Sequence, residues 1–418
     1  MSVPPTDAGL ALAATLRAER GRCLATLARH LGDIDLAEDA LAEATARALE
    51  RWPRDGLPDR PGAWLTTVAR RHAIDVLRRR ARGRAVDDAL ARSSAVVSPP
   101  PEEEVLEPVD DDQLRLLFTC CHPALSRTSQ VALTLRLLAG LDTERVAAAF
   151  LTEGATMAQR ISRAKRKVRE AHIPFRVPEE HELPDRLAAV LRVVYLTYNA
   201  EGADLRAEAI RLARLLGDLM PDEPEVTGLL ALLLLTEARW PARRDAAGGL
   251  VLLRDQDRAR WDGALITEGH DLVRACLRRD QPGPYQLQAA INAVHTDATR
   301  FEDTDWTQVV ALYDQLLAMA PSPVVALNRA VAVGELEGPA AALALVDDLD
   351  LGGYQPFHAT RADLLRRLGH VEAAGTEYAR AAELAHDPAV RDHLDAVGQR
   401  LGSSTGTPSA HRGHSSGS

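Results

Sequence analysis

TERVAAAFLTEGATMAQRISRAKRKVRE, residues 143–170, decides how the rest of the chain is read. Two short helical patterns meet in it at a tight turn. In the second, predicted over Thr156 to Glu170, Met157, Ile161, Ala164 and Val168 recur at steps of four, three and four and so share one buried stripe. Thr156, Gln159, Arg160, Arg163, Arg166 and Lys167 then face outward. A helix entering a major groove needs this division, with an apolar back against its scaffold and hydroxyl, amide and guanidinium groups toward base edges and phosphates. The first helix, Thr143 to Phe150, is nearly uncharged after Arg145, with Asp142 placed to cap it and Glu153 or Gly154 in the turn. A solvated basic face is the bland reading of one charged helix; the helical partner favours a helix-turn-helix.

A second basic helix lies upstream, in GAWLTTVARRHAIDVLRRRARG, residues 62–83. Trp64, Leu65, Val68, Ala69, Ala73, Val76 and Leu77 make its apolar face, and Arg70, Arg71, Asp75, Arg78, Arg79 and Arg82 stand opposite. Trp64 reads equally as core or as a stacking platform. A turn-rich stretch, Pro53 to Pro61, precedes this helix, and before it an amphipathic helix over roughly Asp35 to Arg51 carries an acidic face of Glu38, Asp39 and Glu43.

The 418 residues suffice for two or three domains with buried cores. A net charge of −10 opposes nucleic-acid binding only if it is evenly spread, and here the arginines cluster in two helices while the acids lie elsewhere. Cys23, Cys120, Cys121 and Cys276 form no paired framework, and Cys120, Cys121 and His122 are adjacent where zinc ligands are spaced. Buried helical thiols are expected, and no metal site. With no signal peptide and a longest apolar run, Gly228 to Leu235, too short to span a bilayer, a cytoplasmic, nucleoid-associated protein without a membrane partner is expected.

Punctuation divides the chain into a helical domain over 1–84, an acidic, proline-rich linker over 85–112, a helix-turn-helix domain over 113–178, a helical extension over 179–401 and a disordered tail over 402–418. The fold class is all-α. In the extension, residues 357–388 carry Gly369, Ala374, Tyr378 and Ala381 at tetratricopeptide-like spacing, and residues 324–349 read as a weaker copy. Asp245, Asp255, Asp257, Asp262, Glu268, His270 and Asp271 offer raw material for acid–base chemistry, but no Walker, G-x-S-x-G or H-E-x-x-H pattern accompanies them. A salt-bridged loop is the favoured reading, and the chain is not expected to be an enzyme.

Three strings, DIDLAEDALAEATARALERW at 33–52, PGAWLTTVARRHAIDVLRRR at 61–80 and residues 130–170, resemble the bacterial extracytoplasmic-function σ factors of RNA polymerase in order and spacing. The extension resembles that of a subgroup carrying a tetratricopeptide-like domain. It departs from the subgroup at Asp245-Ala246-Ala247-Gly248-Gly249 and at the Tyr198 to Gly202 run.

The resemblance implies core RNA polymerase (its clamp and flap) and promoter DNA as partners, and no cofactor. Glu38, Asp39 and Glu43 would dock a σ2 module on the clamp. Trp64, Arg70, Arg71, Asp75, Arg78 and Arg79 would face the −10 element, with the Pro53–Pro61 loop capturing an extruded base. Thr156, Gln159, Arg160 and Arg163 of σ4 would read the −35 groove while Arg166 and Lys167 hold phosphate. Linker acids Glu102 to Glu104 and Asp110 to Asp112 would mimic nucleic-acid charge inside the polymerase. The extension would control activity in cis through contacts with σ2 or σ4, and deleting residues 180–418 is expected to alter promoter output while clamp binding persists. Two other readings stay open: a one-component DNA-binding regulator with a ligand-sensing or enzymatic C-terminal domain, and a helical-repeat adaptor whose basic helices bind RNA.

Overall fold

A computed structural model describes residues 5–87 and 110–404, apart from positions 151 and 201. Glu102 to Glu104 of the linker and the tail from residue 405 lie outside the described residues. Every regular element described is helical, as expected, with an isolated antiparallel bridge between Arg244 and Leu250. Among the described residues no helix is long and apolar enough to cross a membrane. The contacts separate two units, Met1–Met220 and Pro221–Ser418.

In the first unit α1 (Pro5–Leu31), α2 (Ile34–Asp55) and α3 (Pro61–Asp87) pack pairwise. α2 starts where the Asp33 carboxylate accepts the backbone N–H groups of Asp35 (2.8 Å) and Leu36 (3.1 Å). Its buried stripe, Leu36, Ala37, Ala40, Leu41, Ala44, Ala48 and Trp52, keeps helical period to the end. Pro53, expected to open a loop, instead lies inside the last turn of α2. A proline there removes a single donor, Trp52 at 2 % exposure anchors the turn, and the helix stops only at Gly56, whose φ of 88° turns its N–H onto the Trp52 carbonyl. The loop before α3 therefore shrinks to residues 56–60. In α3 the buried face also ends early. Leu65, Ala69 and Ala73 are buried, Val76 is half-buried, and every side chain from Leu77 to Arg82 is exposed, because these turns project beyond the partner helices.

α4 (Asp110–Cys120), α5 (Arg127–Leu137), α6 (Thr143–Ala149), α7 (Gly154–Glu170), α8 (Leu183–Asn199) and α9 (Ala203–Leu219) complete the unit. Asp110 to Asp112, assigned to the linker from sequence, form the first turn of α4. Asp112 is fully buried and accepts hydrogen bonds from Thr26 Oγ1 (3.0 Å) and Arg115 Nη1 (3.2 Å), with Arg29 Nε at 3.1 Å. A carboxylate bound in this way is a structural group, not a free acid in a tether. α8 and α9 pack on α4, and α8 also packs on α5. Arg186 donates from Nη2 to the Phe118 carbonyl at 2.6 Å, with its guanidinium 6.0 Å from the Phe118 ring, and Arg145 pairs with Asp204.

The second unit runs from α10 (Pro224–Ala238) through α11 (Gly263–Arg279), α12 (Pro284–Asp297), α13 (Trp306–Met319), α14 (Pro323–Leu336), α15 (Pro339–Asp347), α16 (Gln355–Arg367) and α17 (Val371–Leu384) to α18 (Pro388–Ser404). α10 is apolar nearly all round because α11 and α12 both pack on it. Beyond it the cores interlock. Leu287, Val309 and Ala332 join α12, α13 and α14; Leu327, Val346 and Leu364 join α14, α15 and α16; Ala362, Tyr378 and Leu394 join α16, α17 and α18. Each core shares a helix with the next, the arrangement of stacked helical hairpins. The two repeat-like strings fall on the α14–α15 and α16–α17 hairpins, and Ala374 and Ala381 are fully buried.

Candidate functional site

The two helices read from sequence as a helix-turn-helix are α6 and α7. Asp142 caps α6 by accepting the Arg145 N–H at 2.8 Å, and the N–H of Thr152 returns to the Ala147 carbonyl at 3.1 Å, which turns the chain sharply into α7. Met157, Ile161, Ala164 and Val168 are buried against α5 and α6, each large side chain contributing about 1.5–3 kcal/mol. On the other side Thr156, Gln159, Arg163, Arg166 and Lys167 are exposed. Arg160 is half-buried, its guanidinium 5.9 Å from the Phe150 ring. Arg163 Nε donates to the Gln159 carbonyl at 3.4 Å and Arg166 lies 3.6 Å from Glu170, so neither is locked in a buried pair.

On α3, Arg71, Asp75, Arg78 and Arg79 are exposed and Arg70 is half-buried. Asp75 lies 3.8 Å from Arg78, and its carbonyl accepts Arg79 Nε at 3.3 Å. Trp64 is half-buried and stands edge-on to Trp52 at 5.6 Å, an aromatic pair that fixes the start of α3 against the end of α2.

The acidic face of α2 is not uniformly open. Asp39 is exposed and Glu43 pairs with Arg47 at 2.9 Å, but the Glu38 side chain is only 9 % exposed. Its carboxylate meets Arg20 of α1 (3.4 Å), Arg136 of α5 (3.2 Å) and Lys165 of α7. Lys165 also reaches Asp35 at 3.0 Å, and Arg169 pairs with Asp35. The acidic helix is thus clasped to α5 and to the inner side of α7. α1 approaches the same region closely: a Cβ on Gly21 would sit 2.7 Å from the Leu138 carbonyl oxygen and 2.9 Å from Gln113 Nε2.

Burial opposes the Asp35 charge, but hydrogen bonds and charges from Lys165 and Arg169 outweigh it and hold its pKa below the ordinary 3.8. Burial likewise opposes the Lys165 charge, and Glu38 and Asp35 outweigh it, raising its pKa above 10.5. A depressed carboxylate contributes stability above its unfolded pKa and loses it as pH falls through the folded value. A raised lysine contributes below its unfolded pKa and loses it as pH rises through the folded value. Asp35 and Lys165 therefore both keep their charge between about pH 5 and pH 9.

The Cys120-Cys121-His122-Pro123 run is a structural turn. Gln130 Nε2 donates to the carbonyls of Cys121 (3.2 Å), His122 (2.9 Å) and Leu125 (3.4 Å). Burial pushes the Cys121 thiol up to about 12 and, assisted by Cys121, raises Cys120 well above its ordinary value, so both stay protonated at neutral pH. In the second unit three of the carboxylates of residues 241–271 are used by the backbone, and Asp271 pairs with Arg274 at 2.7 Å. Asp245 Oδ1 accepts the N–H groups of Ala247 (2.9 Å) and Gly249 (2.8 Å), Asp257 accepts that of Ala259 (3.0 Å), and Asp262 caps α11. His270 Nε2 lies 2.9 Å from Thr296 Oγ1.

Lys165, Arg169, Arg20 and Arg136 escaped the sequence reading. Lys165 follows Ala164 of the buried stripe, which places it on the scaffold side, and that spacing was the available signal.

Residues 16–83 match Sigma-70 region 2, and residues 186–277 match a family of unknown function, DUF6596. The chain is 46 % identical over 380 residues to a Rhizobium meliloti protein described as uncharacterized protein R00370, covering 88 % of this chain and 90 % of that one. It is 29 % identical over 180 residues to the probable ECF RNA polymerase sigma factor SigI of Mycobacterium tuberculosis, covering 42 % of this chain and 60 % of SigI. Yeast Tom70 aligns over 94 % of this chain and 84 % of its own at 12 % identity, but its TM-score of 0.38 carries no argument. Residues 16–83, spanning α1–α3, thus carry sigma-70 region 2, and the SigI likeness beside that match supports the resemblance to the extracytoplasmic-function σ factors.

Proposed function

We propose that the chain binds core RNA polymerase, directs it to promoters and assists duplex opening, with the helical extension controlling this activity in cis. The observation that carries the reading is the division of α7, with four apolar side chains inward and Thr156, Gln159, Arg160, Arg163, Arg166 and Lys167 on the outer side. That face reads the −35 groove. Trp64, Arg70, Arg71, Asp75, Arg78 and Arg79 of α3 contact the −10 strand, next to the short loop at 56–60 that receives an extruded base. Glu38, Asp39 and Glu43 dock on the polymerase clamp. Glu38 is held by Lys165, so docking requires α7 to leave α2 and opens the space between the two DNA-reading helices.

Base reading and phosphate holding predict different mutants. Arg160→Ala should relax preference at one −35 position by about 1–3 kcal/mol, as expected for a guanidinium on a guanine edge. Lys167→Ala should weaken all sequences alike and flatten the salt dependence by about one phosphate contact. Anisotropy titrations of single-position promoter variants at several salt concentrations test both. Identical, sequence-independent losses for the two mutants would remove Arg160 from base reading.

A further inference from the structure

The second unit forms a half-open cavity of about 530 Å³ between α13, α14, α16 and α18, within the roughly 300–1,000 Å³ range of small-molecule sites. Phe301, Trp306, Val331 and Leu364 are among its walls, and the apolar groups outweigh the polar ones. The wall carries two guanidiniums, Arg254 and Arg367, and two carboxylates, Glu335 and Asp363, and Arg366 outside the lining tips the balance. Glu335 Oε1 lies 2.8 Å from Arg367 Nη1 and 3.4 Å from Arg254 Nη2, so one carboxylate offsets two guanidiniums. Asp363, also on the wall, is already taken by Arg366, whose Nε lies 3.2 Å away. One positive charge is left over where the cavity meets solvent. Arg254, 39 % exposed, lies with its guanidinium 5.5 Å from the Phe301 ring, which holds the cation at the edge of the apolar space. The imidazole of His295 lines the same cavity. Burial, with Arg239 and Arg258 nearby, pushes its pKa down to about 4, so it is neutral at pH 7, and its buried Nδ1 has no hydrogen-bond partner.

We propose that this cavity binds a small amphipathic carboxylate, its apolar body between the helices and its carboxylate on Arg254 and Arg367. An apolar wall selects an acyl chain or a two-ring aromatic group, and surplus guanidinium charge selects an anion over an amine or an alcohol. The chain's own tail does not fit, because residues 405–418 bring no apolar side chain larger than Pro408. The site stands on the second unit alone and is independent of the σ-factor reading.

The test is fluorescence titration of the full-length protein with 8-anilinonaphthalene-1-sulfonate, an aromatic anion, followed by competition with decanoate and with decylammonium. Saturable dye binding is expected, with decanoate displacing the dye at about tenfold lower concentration than decylammonium. Val331→Phe, which places a ring in the cavity, should abolish dye binding with helicity by circular dichroism unchanged. Arg254→Gln, at an exposed position, should keep the dye site and lose most of the preference for decanoate. Absence of saturable binding, equal competition by the two decyl compounds, or unchanged binding in Val331→Phe would each overturn the proposal.

Discussion

Lys165→Glu is expected to raise the affinity of the chain for core RNA polymerase by at least about tenfold, although the substitution adds no contact to the polymerase. The reason is the clasp. In the closed unit Lys165 faces Glu38 and Asp35, and a carboxylate in its place meets two like charges in a site where Glu38 is 9 % exposed. Losing a partner in a buried pair costs about 3–5 kcal/mol, discounted here to about 2–4 because Asp35 is partly exposed and Arg20 and Arg136 remain on Glu38. The closed state loses that energy and the open state does not. Apparent affinity scales with the population of the open state, so the gain continues until the open form dominates.

Gly21→Ala reaches the same end without changing a charge. Its methyl group would sit 2.7 Å from the Leu138 carbonyl oxygen, a backbone atom that cannot swing aside. Within α1 the same substitution favours the helix by about 1 kcal/mol. The two terms act on different equilibria: α1 becomes more stable, and the approach of α1 to the α5–α6 turn becomes less so. Both variants should bind core more tightly, as read by anisotropy with labelled protein, and both should lengthen the distance between labels on α3 and α7. If affinity is unchanged or lower in both, Glu38 is not part of the docking surface.

The second large effect concerns where the chain can be cut. A chain ending at residue 182 loses α8 and α9, which cover α4 and α5. Arg186 goes with them, leaving the Phe118 carbonyl without its donor and uncovering the face now packed by Leu187, Val190, Leu191 and Val194. At about 1.5–3 kcal/mol for each large apolar side chain, the loss approaches the whole stability of a domain, about 5–15 kcal/mol. The 1–182 chain should therefore aggregate or unfold without a cooperative transition, while the 1–220 chain, which ends at the boundary between the units, should unfold cooperatively in urea. Equal denaturation midpoints for the two would mean that α8 and α9 contribute nothing to the first unit. The deletion of residues 180–418 considered from sequence confounds control with folding. Comparing promoter output of 1–220 with that of the full chain isolates the second unit.

What could be read in the sequence followed periodicity. Met157, Ile161, Ala164 and Val168 announced the buried side of α7, and Asp142 its partner's cap, because both signals lie within one or two turns of chain. The clasp had no such signature. Lys165 and Glu38 are 127 positions apart, and an acidic face on α2 looks the same whether it meets solvent, a polymerase or α7. Asp112 was misread for a related reason. In DDD after a proline-rich run, nothing local separates a tether from a helix start whose third residue is buried on Thr26 and Arg29. Pro53 misled because breaking strength depends on position, and in the last turn of α2 it costs little. The cysteine pair was legible as buried thiols, but the purpose of the turn rests on three bonds from Gln130, a side chain on the following helix.

The most direct measurement is run-off transcription from genomic fragments by purified core RNA polymerase of the encoding organism, with the full-length chain and with Lys165→Glu in parallel. RNA with discrete 5′ ends, each preceded by a shared pair of spaced elements and more abundant with the variant, is the predicted result. If both proteins bind core and neither yields RNA from any defined start, the chain does not direct initiation and the account is contradicted.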